Sequence, residues 1–258
     1  MYPEDHKPAE SAQAHSPEKR GRAGVSGVRG LNQAWSPPVD IIRDDNEYIV
    51  ECDLPGLALG QIEVVLDRDM LMIQGLRTTG SERTERCERQ ERFSGRFLRS
   101  FRLPTDCRPG ASTISLDAGV LVVRLHRVSR TEGASIPGGF QAMGTLPLLS
   151  DSLRHRFDSA WQPPVDLTGS DTCYHAVIEM PGVRPADVLV LAVGRTLVVR
   201  TVRHRPLLHQ HGMPHRQERF FGAIDLRMTL PPDAAAHAFS WTLERGTLNL
   251  AVPRRLVY

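Results

Sequence analysis

The sequence contains the same series of short motifs twice, in the same order. Trp35 opens WSPPVDI and Trp161 opens WQPPVDL, 126 residues further on (161 − 35 = 126). RQERFSG from Arg89 returns as RQERFFG from Arg216, so the second copy has gained one residue before this point (216 − 89 = 127). Matches that keep their order and register indicate an internal duplication. Each copy has about 90 residues, which is enough to bury its own core, so the sequence predicts two domains of one kind.

Each copy has the pattern of an all-β domain. Apolar residues occupy every second position from Tyr48 to Leu54, and the same alternation precedes MPGV in the second copy. This period is typical of a strand with one buried and one solvent face, so Glu51 and Asp53 are expected on the solvent face. The Pro-Gly pair that follows ends the strand, because proline lacks an amide hydrogen and glycine adopts the positive φ of a tight turn.

Further apolar rows separated by Pro and Gly continue through both copies. In the second copy we expect one buried row to consist of Leu189, Leu191 and Val193, matching Ile62, Val64 and Leu66 in the first. Short strands at this spacing are typical of a sandwich of two antiparallel sheets. The predicted fold is therefore all-β, with two immunoglobulin-like sandwiches in tandem.

The predicted domains span residues 35–127 and 161–253, and the rest of the chain differs in composition. Residues 1–34 are rich in Pro, Gly, Ser and charge and are expected to form a disordered N-terminal arm. Residues 128–160 form a linker that begins with a flexible sequence, and residues 254–258 form a short tail. The second half of the linker favours a short helix, because four apolar side chains recur every four residues: Leu149, Leu153, Phe157 and Trp161.

Charge and composition exclude several classes of function. The 258 residues carry 32 basic and 30 acidic side chains, a net charge of +2, and the two signs are interspersed. Such a chain builds no strong positive field, so nucleic acid is not an expected partner. No run of about 18 apolar residues predicts a membrane span. The first residues lack the apolar core of a secretory signal, and the four cysteines show no C-x-x-C spacing, which predicts reduced thiols in a cytoplasmic protein.

The motifs together resemble one known family. WSPPVDI, ECDLPGL, RQERFSGRFLRSFRLP and AGVLVVRL are similar in content and order to the α-crystallin domain of small heat-shock proteins, the bacterial Hsp20 type. The second copy resembles a diverged form of the same domain. The resemblance implies ATP-independent holding of unfolding proteins. It also implies dimers that exchange a strand from the long loop before F-x-R-x-F-x-L-P, and larger oligomers built through an I-x-I tail.

Arg99 matches the arginine of the family motif F-x-R-x-F, and Leu226 stands at the equivalent place in the second copy. Arg99 shares a predicted strand face with apolar side chains, where a charge is costly unless a carboxylate pairs with it. The resemblance favours an ion pair at a subunit interface. The alternative is an arginine at the open edge of the sandwich with its head in water.

Two further segments are candidate sites. Leu146, Pro147 and Leu148 place two apolar side chains two residues apart beside a proline, a shape that can dock in a groove between edge strands. The loop RHRPLLHQHGMPHR contains His204, His209, His211 and His215. We interpret this loop as a solvated flap and predict no metal site, because no cysteine or carboxylate lies nearby at a useful spacing.

The predicted function is that of an ATP-independent holdase for unfolding client proteins. Apolar side chains outside the sheets are the candidate client-binding residues: Trp35, Leu149, Leu153, Phe157 and Trp161. The alternative is a scaffold dedicated to one partner, like co-chaperones with a CS domain. No P-loop, nucleophile-elbow or H-E-x-x-H motif is present, so neither an enzyme nor a cofactor is expected. The duplication predicts that the two copies form a pseudo-dimer within one chain, or a small homo-oligomer.

Overall fold

The computed structural model describes residues 35–78, 86–128, 141–142, 161–207, 209 and 212–255. Within these ranges the first repeat contains eight strands: β1 Val39–Arg43, β2 Glu47–Asp53, β3 Ile62–Asp67, β4 Met70–Arg77, β5 Arg86–Gln90, β6 Gly95–Arg102, β7 Cys107–Asp117 and β8 Val120–Arg127. The linker contributes β9 Gln141–Ala142. The second repeat contains another eight strands: β10 Val165–Gly169, β11 Cys173–Glu179, β12 Leu189–Val193, β13 Thr196–Arg203, β14 Met213–Arg216, β15 Gly222–Thr229, β16 Ser240–Glu244 and β17 Thr247–Pro253. The predicted all-β class is confirmed.

Each repeat builds two antiparallel sheets around its own core. In the first repeat the sheet orders are β14-β1-β2-β8-β7 and β3-β4-β6-β9. In the second they are β16-β17-β11-β10-β5 and β12-β13-β15. Two separate clusters of buried apolar side chains lie between these sheets, one for each repeat. This is the architecture of two sandwiches within one compact unit.

One strand of each repeat belongs to a sheet of the other. β14 pairs antiparallel with β1, with Ile41 opposite Arg216. β5 pairs antiparallel with β10, with Leu167 opposite Arg89. We call these pairings the first joint (β1 with β14) and the second joint (β10 with β5). Each exchanged strand completes a five-stranded sheet, so the two repeats are connected by backbone hydrogen bonds in both directions.

The buried row of β12 differs from the expected one. Leu189, Leu191 and Val193 are among the exposed large apolar side chains, and Val188, Val190 and Ala192 pack against the second core instead. The expected alignment with the first repeat was wrong by one residue, since Ile62 corresponds to Val188 (188 − 62 = 126). In a strand, a shift of one residue moves every side chain to the opposite face.

Glu51 and Asp53 lie on the face of β2 that was expected to be wet, but both are buried, at 7% and 5% exposure. Side chains of the second repeat cover this face, because Arg219 contacts both carboxylates and Arg203 contacts Asp53. A pattern within one strand cannot reveal a cover that comes from another domain.

The Pro-Gly stops lie where the two repeats meet. The Gly56 amide donates to Arg245 O, and the Gly182 amide donates to Ala118 O, both at 2.8 Å. The hairpin turns that accept these bonds are so close that a Cβ on Gly119 would lie 2.5 Å from Arg245 O. Gly119 also has a φ of +72°, which an L side chain rarely adopts. The turn after each stop therefore connects the repeats as well as ending a strand.

The linker was expected to begin flexibly, yet its residues Gln141–Ala142 form β9 on the edge of β6. The opposite end of this edge carries a parallel bridge between Trp35 and Phe97. Residues 149–160 of the expected helix lie outside the described part of the chain, and Trp161 itself belongs to no helix. The expected disordered arm, residues 1–34, also lies outside the described part.

Candidate functional site

The residues with the most unusual environment in this structure lie at the two joints. At the first joint, Asp40 Oδ1 accepts hydrogen bonds from the backbone amides of Glu218, at 2.7 Å, and Arg219, at 3.0 Å. Glu218 also contacts β1 through its side chain, since its Oε2 accepts a hydrogen bond from the Val39 amide at 2.9 Å. The segment after β14 is therefore held to the first repeat by side chains as well as by strand pairing.

The second joint repeats this arrangement with the equivalent residues. Asp166 Oδ1 accepts the amides of Glu91, at 2.9 Å, and Arg92, at 3.0 Å. Glu91 Oε2 accepts the Val165 amide at 3.1 Å. The two joints are therefore related by a pseudo-twofold symmetry that follows from the duplication.

A buried cluster of charges lies beside the first joint. Both Arg203 side-chain amino groups donate to Asp53, at 2.8 and 2.7 Å, and Arg219 Nε donates to the same carboxylate at 2.8 Å. We call Asp53, Arg203 and Arg219 the first cluster; the two arginine side chains are only 2% and 3% exposed. Bidentate contacts between arginine and a carboxylate are among the strongest polar contacts in proteins, so this cluster fixes the position of the second repeat on the first.

The equivalent residues form a second cluster beside the second joint. Arg77 Nη1 lies 2.8 Å from Glu179, and Arg92 Nε donates to the same carboxylate at 3.3 Å. Arg77 also stacks its guanidinium 3.8 Å from the ring of Trp35. We call Glu179, Arg77 and Arg92 the second cluster. Each cluster places a carboxylate of one repeat against two arginines of the other.

The carboxylates of the two clusters differ in their electrostatics. Burial by itself would raise the pKa of Asp53, but the charges of Arg219 and Arg203 outweigh it and hold the pKa below its usual range. For Glu179 burial dominates, and its pKa is raised although Arg77 and Arg92 act against the shift. The balance depends on how much favourable charge each site supplies, and the first cluster supplies more.

Arg99, the arginine predicted at an interface, lies at the first joint. Its two terminal amino groups donate to Glu218 at 2.8 and 3.1 Å, and one of them also donates to Pro37 O at 2.7 Å. Burial would raise the pKa of Glu218, but the hydrogen bond and charge of Arg99 lower it below the usual range. The ion pair joins two repeats of one chain, whereas the prediction placed it between subunits. Leu226, at the equivalent position, is buried in the second core.

The histidine-rich loop is only partly a solvated flap. His204 and His215 are exposed, as expected, and His211 falls on a residue that the structure leaves undescribed. The side chain of His209 is 0% exposed and lies between two carboxylates of the first repeat, Asp40 and Glu51. No local sequence pattern indicated this contact, because Asp40 and Glu51 are more than 150 positions away along the chain.

The other candidate residues lie in different environments. Trp35 is 7% exposed and packs edge-on against Phe97, so its side chain does not present the exposed surface that a client-binding role requires. Trp161 is partly buried and stacks on Phe220 at 4.9 Å. The remaining predicted positions lie outside the described residues: Leu146, Pro147, Leu148, Leu149, Leu153 and Phe157.

Sequence reasoning missed the aspartates of the joints and, apart from Arg99, their arginines. One signal was available, because PPVD and RQERF recur in both copies, and they contribute Asp40, Asp166 and the pairs Glu91-Arg92 and Glu218-Arg219. Each polar residue looked like surface in its own strand or loop, and only the partner repeat buries it.

Comparison with known proteins agrees with this fold. The model of the Hsp20/alpha crystallin family matches residues 40–136 and 166–257. Because the matches cover most of the chain and both repeats, the protein belongs to the Hsp20/alpha crystallin family, as the sequence motifs predicted.

Individual relatives match one domain's length of the chain. Small heat shock protein C4 of Rickettsia felis is 27% identical over 106 residues, which is 41% of this chain and 65% of that protein. The 18.1 kDa class I heat shock protein of Oryza sativa subsp. japonica is 40% identical over 82 residues, 31% of this chain and 51% of that protein. A solved small heat-shock protein from Xylella fastidiosa is 36% identical, with a TM-score of 0.37, over 42% of this chain and 99% of the other. Among the described residues, no helix is long and apolar enough to span a bilayer.

Proposed function

We propose that this protein is an ATP-independent holdase that binds unfolding proteins and prevents their aggregation. The observation that carries the proposal is the match of both repeats to the Hsp20/alpha crystallin family, whose relatives are heat shock proteins. The absence of a P-loop motif from the sequence supports action without ATP. No enzymatic activity is proposed.

Exposed apolar surface supports this proposal. Leu189, Leu191 and Val193 stand on β12, an edge strand of its sheet. The corresponding positions of the first repeat are more polar, with Glu63, Val65 and Asp67. Apolar side chains on an open strand edge suit an extended, partly unfolded chain, which can add main-chain hydrogen bonds to the contact.

Heat-induced aggregation of several unrelated, heat-labile proteins tests the holdase function. We expect the purified chain to suppress the rise in light scattering for each of them without ATP. A matched sample in which an unrelated globular protein replaces this chain controls for crowding. Suppression for a single substrate only would favour the scaffold of CS-domain type, and no suppression at all would refute the holdase.

We also propose that the two repeats act as an intramolecular pseudo-dimer. Each repeat already receives its exchanged strand from the other repeat of the same chain, so neither joint needs a strand from a second chain. We expect multi-angle light scattering to give a monomer or an assembly of a few copies. A narrow peak at 24 subunits would contradict the proposal.

Three remaining expectations belong to the same proposal. Leu146, Pro147 and Leu148 stay a candidate docking segment, and Leu149, Leu153, Phe157 and Trp161 stay candidate client-binding residues. The cytoplasm stays the proposed compartment, which the four free cysteines support.

A further inference from the structure

His209 lies in a buried site whose hydrogen bonding is incomplete. Its Nε2 is 2.8 Å from Glu51 Oε2, and its Nδ1 is 3.7 Å from Asp40 Oδ2. The side chains of His209 and Asp40 are both 0% exposed, and within the described part of the chain neither His209 Nδ1 nor Asp40 Oδ2 has a hydrogen-bond partner. An unpaired nitrogen that faces an unpaired carboxylate oxygen in a buried site is satisfied when one proton lies between them.

The charged side chains around a neutral His209 lack one positive charge for overall neutrality. Within the described residues the charged groups that face this site come from three strands and the loop after β14: Asp40 on β1, Glu51 and Asp53 on β2, Arg203 on β13, and Arg219. Arg205 also lies over the ring of Phe221, which packs edge-on against His209, but the Arg205 side chain is exposed to solvent. Among the buried groups three carboxylates face two arginines, so these groups carry −1 with a neutral imidazole and balance with a protonated one.

The second joint supplies an internal comparison. The residue equivalent to Glu51 is Val177, so among the described residues only Asp166 and Glu179 face the two arginines Arg77 and Arg92. That site balances without a histidine. The additional carboxylate therefore occurs at the joint where a histidine is inserted, which is what charge compensation by His209 requires.

A metal ion fits this site less well than a proton does. Asp40, Glu51 and His209 bring ligand atoms within 4.8 Å of one another. Asp40 and Glu51 face opposite nitrogens of the ring, however, so a single ion cannot sit against both nitrogens. Arg219 already contacts Glu51 Oε2, and a divalent cation there would face a guanidinium and leave the site with an excess positive charge.

We propose that His209 is a proton latch: protonated, it fastens the flap of the second repeat to Asp40 and Glu51, and its deprotonation loosens the first joint. The contact is consistent with the electrostatics of Glu51. Burial would raise the pKa of that carboxyl, but the His209 hydrogen bond and the Arg219 charge lower it. Burial raises the pKa of Asp40. An imidazolium that faces the free oxygen of Asp40 acts against this shift.

The direction of the pH effect follows from proton linkage. The latch takes up one proton when the flap docks. By linkage, a lower pH therefore favours the docked flap, and docking weakens as the pH rises. One proton changes the docking equilibrium by at most about tenfold per pH unit.

Hydrogen–deuterium exchange on the full chain tests the latch. The measured quantity is the protection of Val39–Arg43, at the first joint, divided by the protection of Val165–Gly169, at the second. The chemical exchange rate rises equally with pH at both joints, so the ratio cancels it. We expect the ratio to fall several-fold between about pH 6.5 and 8.5. His209→Gln should make the ratio independent of pH, even if the ratio itself is higher or lower than in the parent. His204→Gln replaces an exposed histidine of the same loop and should leave the pH dependence of the parent unchanged.

Two further arms distinguish a bound proton from a bound metal ion. Glu51→Val reproduces the balance of the second joint and should remove most of the pH response. The measurement is repeated with a chelator and with added zinc, and neither should change the ratio. The latch is overturned if the parent ratio is constant with pH, if His209→Gln keeps the parent response, or if zinc and chelator control the ratio in place of pH.

Discussion

Asp53→Ala is expected to destabilise the protein more than any other single loss of a charge among the described residues. The change leaves Arg203 and Arg219 buried at 2% and 3% exposure without their shared carboxylate. Removing one partner of a buried ion pair costs about 3–5 kcal/mol, which corresponds to a fall in melting temperature of roughly 10 °C for a chain of this size. Calorimetry measures the shift.

Two matched variants show whether the position of the cluster matters. Glu179→Ala removes the equivalent carboxylate from the second cluster and should also cost several kcal/mol, because Arg77 is equally buried. Asp225→Ala removes a carboxylate that pairs with two exposed arginines, and such solvent-screened pairs contribute little to stability. A similar small effect for Asp53→Ala and Asp225→Ala would mean that the first cluster is solvated and does not hold the repeats together.

Arg99→Ala is expected to loosen the first joint and to lower stability by about 3 kcal/mol, the lower end of the cost for a buried pair. Glu218 keeps Arg216 as a partner and remains 19% exposed, which limits the loss. The shift in melting temperature measures the stability, and cross-linking between β1 and β14 measures the joint.

Arg99→Leu and Arg99→Met separate the charge of Arg99 from its volume. Leu226 shows that an apolar side chain fits the equivalent place in the second repeat, and Glu91 there holds the Val165 amide without such an arginine. Both variants refill the space, so they should lower the melting temperature less than Arg99→Ala does, but by a measurable amount. If Arg99→Met melts and cross-links like the parent, the ion pair with Glu218 has no structural role.

Local sequence was sufficient for much of the fold. The register of the duplication, the period-two apolar rows and the Pro-Gly stops predicted two all-β domains, and the family followed from the order of the motifs. One row was misassigned, because Leu189, Leu191 and Val193 alternate as well as Val188, Val190 and Ala192 do. Because β12 has apolar residues on both faces, the alternation of apolar residues does not show which face is buried.

The site could be predicted only in part, for a reason that Arg99 and His209 illustrate. Arg99 stood out because its own strand made a charge costly, so one domain was enough to predict that it has a partner. His209 stood in a polar loop that a single domain leaves in water, and its burial depends on Asp40 and Glu51 of the other repeat.

What each repeat buries within itself follows from local sequence, because alternation, turns and apolar volume act over a few neighbouring residues. Which polar residues become interior depends on the contact between the repeats. Asp53, Arg203, Arg219 and His209 look like solvent-facing residues in their own segments. They are buried because the exchange of β5 and β14 brings the two repeats face to face, and buried charges must then find each other across that contact.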